Sequence, residues 1–168
     1  MMFHVKPFNR TIVFAGIAAV LLLTSCGVRQ RIQIPDYILV PNGKENSGGK
    51  VLTAFVFENN LKNLPFEQYL SIRFKTDNYL QNEIWISIAT DKYKLIIYDN
   101  DEFEKYIGSG NYAVVNEEPT NAKQGNERKF IAISMINANN EDCLADGSLF
   151  QNIAVKFLKE MKDEYYKL

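Results

Sequence analysis

The chain has 168 residues, 46% of them apolar, with 19 basic against 20 acidic side chains. That length supports one domain burying roughly two thirds of its unfolded surface and leaves little room for a second. A net charge of −1 provides no basic stripe of the kind that nucleic acid selects.

The first ten residues are short and basic, with Lys6 and Arg10 as the positive flank, and an apolar run follows from Thr11 to Leu23. Thirteen residues reach only about 20 Å as a helix, against a hydrocarbon core of roughly 30 Å. The run suits an export signal better than a membrane span. It ends in Leu23, Thr24, Ser25 and Cys26, an aliphatic residue, two small residues and a cysteine. This tetrad resembles the bacterial lipobox.

The resemblance implies that Leu23, Thr24 and Ser25 fit the signal peptidase groove, that residues 1–25 are removed, and that the Cys26 thiol carries a diacylglyceryl group. With two or more acyl chains, at about 0.8 kcal/mol for each buried CH₂, the mature protein is anchored to a membrane without spanning it. Gly27 stands where many inner-membrane lipoproteins carry Asp, which favours the outer membrane. The basic run from Gly27 to Arg31 differs from the acidic one typical of surface-displayed lipoproteins of Bacteroidota, so a periplasm-facing domain is expected. Residues 26–33 form the lipidated cysteine and a short tether, and 34–168 a single domain.

Removing residues 1–25 takes away Lys6 and Arg10 and no acid, so the net charge falls from −1 to −3. It also removes His4, the only histidine, and with it Ser-His-Asp and Cys-His catalysis and any zinc site built on imidazole. With Cys26 acylated, Cys143 has no intramolecular partner and reads as a small buried apolar residue. No cofactor, catalytic residue or metal ligand is expected.

Ile34 to Val40, with Pro35 near its start, reads as a short edge strand, because proline cannot donate to a central ladder. Pro41 to Lys50 is rich in Asn and Gly and makes a loop or hairpin connection. Val51 to Phe57 is continuously apolar, as a strand covered on both faces requires. Pro65 to Phe74 is a helix, with proline in its first turn and Phe66, Tyr69, Leu70 and Phe74 at helical spacing.

Ile84, Ile86 and Ile88 alternate within Glu83–Ala89, and Tyr93 to Tyr98 is a second β-rich run, so a hairpin through Thr90, Asp91 and Lys92 is expected. Asp99 and Glu102 have capping-box spacing, opening a short helix that ends at Gly108. Asn111–Val115 and Lys129–Ile136 read as two further strands joined by the polar loop Glu117–Glu127. Ser148 and Gln151 match a second capping box before a long amphipathic helix. Its apolar rows are Leu149, Ile153, Phe157, Met161 and Phe150, Ala154, Leu158, Tyr165, with Lys156, Lys159, Glu160, Lys162 and Asp163 on the polar side. This order predicts an α+β domain: a mostly antiparallel sheet of five or six strands, with two or three helices packed on it.

Other features have ordinary explanations. Asp99, Asp101, Glu102 and Glu104 offer oxygens for Ca²⁺, but their spacing is not that of an EF-hand, and acids in a first helical turn answer the macrodipole. Asn137, Asn139, Glu141, Asp142 and Asp146 read as a polar connection into the last helix. Gly108-Ser109-Gly110 follows a helix instead of opening one, as a C-terminal cap does. Adjacent Glu117 and Glu118 in a loop have no fixed geometry for glycoside chemistry. By exclusion, the expected function is protein binding as an accessory part of a secretion or envelope assembly. The alternatives are an immunity lipoprotein masking a periplasmic toxin and, from a different class, a carboxylate-dependent hydrolase.

Overall fold

The computed structural model describes residues 31–59, 64–76, 81–115 and 128–168. Its elements are β1 (Ile32–Gln33), β2 (Ile38–Val40), β3 (Ala54–Glu58), α1 (Phe66–Phe74), β4 (Glu83–Ile88), β5 (Asp91–Ile97), α2 (Asn100–Tyr106), β6 (Tyr112–Ala113), β7 (Phe130–Asn137) and α3 (Gln151–Tyr165). Five strands form one antiparallel sheet in the order β2-β3-β7-β5-β4, and β1 pairs in parallel with β6. This is the α+β architecture anticipated from the order of elements. Among the described residues no helix is long and apolar enough to cross a membrane.

Alternation along the strands gives the sheet two buried faces. Phe55 and Phe57 of β3, Ile131, Ile133 and Met135 of β7, Tyr93, Leu95 and Ile97 of β5, and Ile84 and Ile86 of β4 share one core with α1 and α3. On the reverse face Ala54, Val56, Phe130, Ala132 and Tyr98 pack with Phe103 of α2, with Ile107 at its C-terminal cap and with Tyr112 of β6. The two central strands are therefore apolar at every position but a few. All eight residues of β7 are buried.

The helices on the first face lie side by side through aromatic contacts. Phe66 and Tyr69 of α1 meet Tyr165 of α3 at 5.1 and 5.4 Å between ring centroids, and the Tyr69 hydroxyl donates to the Met161 carbonyl at 2.9 Å. At the other end of α1, the Arg73 guanidinium sits 5.6 Å over the Phe157 ring and pairs with Glu164.

Several boundaries differ from the sequence expectation for local reasons. Pro35 and Asp36 form a bend, so the edge strand starts at Ile38, and pairing begins earlier instead, at Ile32, inside what was expected to be tether. The hairpin turn is Ala89–Thr90, with Ile88 opposite Asp91. A two-residue hairpin loop needs positive φ in its centre, and Ala89 supplies it at 53°. Tyr112–Ala113 joins Ile32–Gln33 and not the strand that follows it. The loop expected at Glu117–Glu127 lies outside the described residues.

At the start of α3 no capping box forms. The Ser148 hydroxyl accepts from the Phe150 amide at 3.3 Å, one residue early, and the Gln151 side chain donates to the Leu144 carbonyl at 3.0 Å. The helix buries the row Ala154, Leu158, Met161 and Tyr165, whereas Leu149 is 93% and Ile153 45% exposed. Lys162, expected on the polar side, is buried at 4% exposure. It bonds Asp36 in the bend after β1 and lies 2.9 Å from Asp163.

Candidate functional site

The lipobox residues Leu23, Thr24, Ser25 and Cys26 lie outside the described residues, as do Glu117 and Glu118. Several of the other polar groups singled out in the sequence can be followed to their partners. Asp99 is the N-cap of α2: its carboxylate accepts from the Glu102 amide at 2.8 Å while the Glu102 carboxylate accepts from the Asp99 amide at 3.2 Å. This is the anticipated capping box. Glu102 also pairs with Lys44. Burial alone would lower the Lys44 pKa, but the Glu102 hydrogen bond and the charges of Glu102, Glu83 and Asp99 outweigh it and hold it raised.

The second acidic stretch is a folding clamp. The Asn137 side-chain oxygen accepts from the amides of Asn139 and Glu141 at 2.9 and 3.0 Å, shaping the turn after β7. Asp142 reaches across to β3's approach, accepting from the Thr53 amide at 2.7 Å and from the Leu144 amide at 2.9 Å. Among the described residues no three His, Cys, Asp or Glu side chains come together as a metal site.

Cys143 is completely buried. Burial first, then the charges of Asp142 and Glu141, push its thiol up to about 12. A thiol so protonated and enclosed is a poor nucleophile.

Sequence reasoning missed the most buried polar group, a circuit under α2. The Lys44 amide donates to the Tyr98 hydroxyl at 2.7 Å, the Tyr98 and Ser134 hydroxyls are 2.9 Å apart, and Ser134 donates to the Thr53 carbonyl at 2.8 Å. Each hydroxyl has one proton. Because the Ser134 proton goes to Thr53, Tyr98 must donate to Ser134, and the chain of bonds has a single direction. Burial is the main reason the Tyr98 pKa is raised. Gly43 makes this closure possible, since a Cβ there would lie 2.3 Å from the Tyr98 hydroxyl and 2.8 Å from the Leu52 carbonyl. Every proton in the circuit is used to tie the 43–53 segment to β5 and β7, which is structural work.

The surface most suited to recognition is β4. It is an edge strand of six residues, paired only with β5 among the described residues. It contains no proline and one charge, Glu83. Trp85 projects from it at 56% exposure, with the Lys94 ammonium 5.1 Å from its ring and itself 3.0 Å from Glu83. Phe150 meets Tyr93 at 6.3 Å, which brings the start of α3, with exposed Leu149 and Ile153, over the β4–β5 hairpin. No family model, curated protein or solved structure matches the chain.

Proposed function

We propose that this chain is an envelope lipoprotein anchored through Cys26, whose domain binds another protein as an accessory component of a secretion or envelope assembly. The observation that carries the reading is β4. An exposed edge strand of this length is a template for a partner's strand, since its outward N–H and C=O groups are unsatisfied by the sheet. Proteins usually blunt such edges with proline, bulges or charge, and β4 instead presents Trp85, a residue type enriched where interfaces concentrate their energy.

The test is a photoreactive phenylalanine analogue introduced at Trp85 in living cells, with the same analogue at Lys156 on α3 as the control. A recurrent envelope protein crosslinked at position 85 and not at 156, and lost when Ser87→Pro removes a backbone donor from β4, supports the reading. A captured toxin in its place selects the immunity alternative. No crosslink from either position, together with a phenotype destroyed by one carboxylate substitution in a folded domain, would overturn protein binding in favour of catalysis.

A further inference from the structure

On the face opposite α1 and α3 a cleft of about 280 Å³ opens between β6, the turn before it and the start of β7, lined by Arg31, Ser109, Gly110, Tyr112, Val114 and Lys129 among others. Among the described residues its walls carry two cations and no carboxylate. Neither Arg31 nor Lys129 is paired with an acid among the described residues. Two carboxylates at its rim accept from backbone amides: Glu104 from the Ser109 amide at 3.2 Å, and buried Glu58 from the Val115 amide at 2.9 Å. Ile32, 56% exposed, and Val115, 48% exposed, adjoin the cleft in sequence.

We infer that this cleft docks on the anionic surface of the bilayer, with a phospholipid phosphate between Arg31 and Lys129. The inference rests on the reading of Cys26 as the anchor, and the chain's own length then supplies the geometry. Arg31 lies five residues beyond Cys26, so a fully extended connection keeps it within about 18 Å of the acylated residue. A group tethered so closely meets the headgroup layer at high effective concentration. Anionic leaflets attract basic segments of this kind, and the attraction falls off within a Debye length, about 8–10 Å at physiological salt. Although the mature chain is net acidic, the described lining of its cleft is basic.

The experiment uses the lipidated mature protein in vesicles of phosphatidylcholine alone and of phosphatidylcholine with phosphatidylglycerol. Amide hydrogen exchange is followed over residues 109–114. Exchange at least about threefold slower in the phosphatidylglycerol vesicles, lost in high salt and in the Arg31→Glu/Lys129→Glu variant, is the expected result. Lys156→Glu on α3, equal in charge change, retains the protection. Both lining cations are exposed and make no ion pair among the described residues, so the variant's melting temperature should match wild type.

Equal exchange in the two vesicles overturns the inference. So does protection produced equally by inorganic phosphate in pure phosphatidylcholine, which would make the cleft a site for a free anion. Mass spectrometry separates this failure from that of the anchor: an unacylated or uncleaved chain overturns both readings, whereas an acylated protein with unchanged exchange overturns the docking alone.

Discussion

The two faces of the sheet are sealed by different means. Over one, α1 and α3 lay a continuous carpet of rings and aliphatic groups, from Tyr37 stacked on Phe55 at 4.5 Å to Phe66 edge-on to Tyr165 at 5.1 Å. Over the other, a helix of seven residues and a two-residue parallel ladder cover less, and directed hydrogen bonds from Lys44 through Tyr98 and Ser134 to Thr53 complete the closure. Dispersion and hydrophobic burial are spread over many contacts, so losing one group on the first face leaves a cavity. A hydrogen-bonded seal fails differently, because deleting one member orphans its neighbours.

The largest effect should come from the ring-lined face. Leu158 is fully buried there, and Leu158→Ala should cost about 2–5 kcal/mol, the range for emptying a rigid site. Urea titration of wild type and variant measures it. Phe157→Ala, one position away but only half-buried under Arg73, should lose about 1–2 kcal/mol, less than a fully buried aromatic would. A loss as large as that of Leu158→Ala would place Phe157 in the core and contradict the observed helix rotation.

On the hydrogen-bonded face, Ser134→Ala leaves the Tyr98 hydroxyl without its acceptor and the Thr53 carbonyl without its donor, for a cost of about 1–3 kcal/mol. Tyr98→Phe removes the acceptor of the Lys44 amide and should cost about as much. Because both act on one circuit, the double variant should lose clearly less than the two single losses together. Strict additivity in chemical denaturation would show that the circuit is not coupled, and that the two faces do not differ in kind.

Asp36 joins the two faces at the sheet's β2 edge, where it bonds Lys159 and buried Lys162. Burial raises its pKa, but the two lysine hydrogen bonds and charges outweigh this and leave it below 3.8. A depressed carboxylate binds fewer protons folded than unfolded, so its contribution is fully present above the unfolded pKa. It is lost as pH falls through the folded one. Asp36→Asn should therefore cost about 1–2 kcal/mol near neutrality, moderated by the half-exposed carboxylate and by Asp163 remaining beside Lys162. The difference between variant and wild type should shrink below pH 3.8. A difference that persists in strong acid would assign the loss to packing.

The parts legible in the sequence are those with strong periodicity or a local chemical rule. Period-two isoleucines announced β4, and a seamless apolar run announced β3, because a strand buried on both faces has no polar alternation to show. Asp99 and Glu102 specified their own cap three residues apart. What escaped was set by distant partners. Lys162 looks solvent-facing by helical count, yet Asp36, 126 positions earlier, makes its burial tolerable. Tyr98, Ser134 and Thr53 are unremarkable individually and become a circuit only when β5, β7 and the 43–53 segment converge. Ser148 and Gln151 are a different case: they have capping-box spacing, but the Leu144 carbonyl seven residues earlier takes the glutamine, so one local rule lost to another local contact.

The smallest stability change is expected where the surface is proposed to act. Trp85 belongs to neither packed core: it is 56% exposed, and its ring contact among the described residues is the Lys94 ammonium at 5.1 Å. An exposed cation–π pair contributes about 0.5–1 kcal/mol, and part of that is regained because Lys94 keeps Glu83 at 3.0 Å. Trp85→Ala should thus shift the urea midpoint very little, while Leu158→Ala shifts it strongly. In cells the order reverses: the tryptophan variant should lose partner crosslinking from a photoreactive group placed at Ser87, and a mild core variant such as Ile131→Val should retain it. A residue dispensable for folding and required for capture is what recognition at an edge strand demands. Unchanged capture by Trp85→Ala would remove β4 from the proposed interface, and a large loss of stability would mean that its ring is a structural part of the sheet.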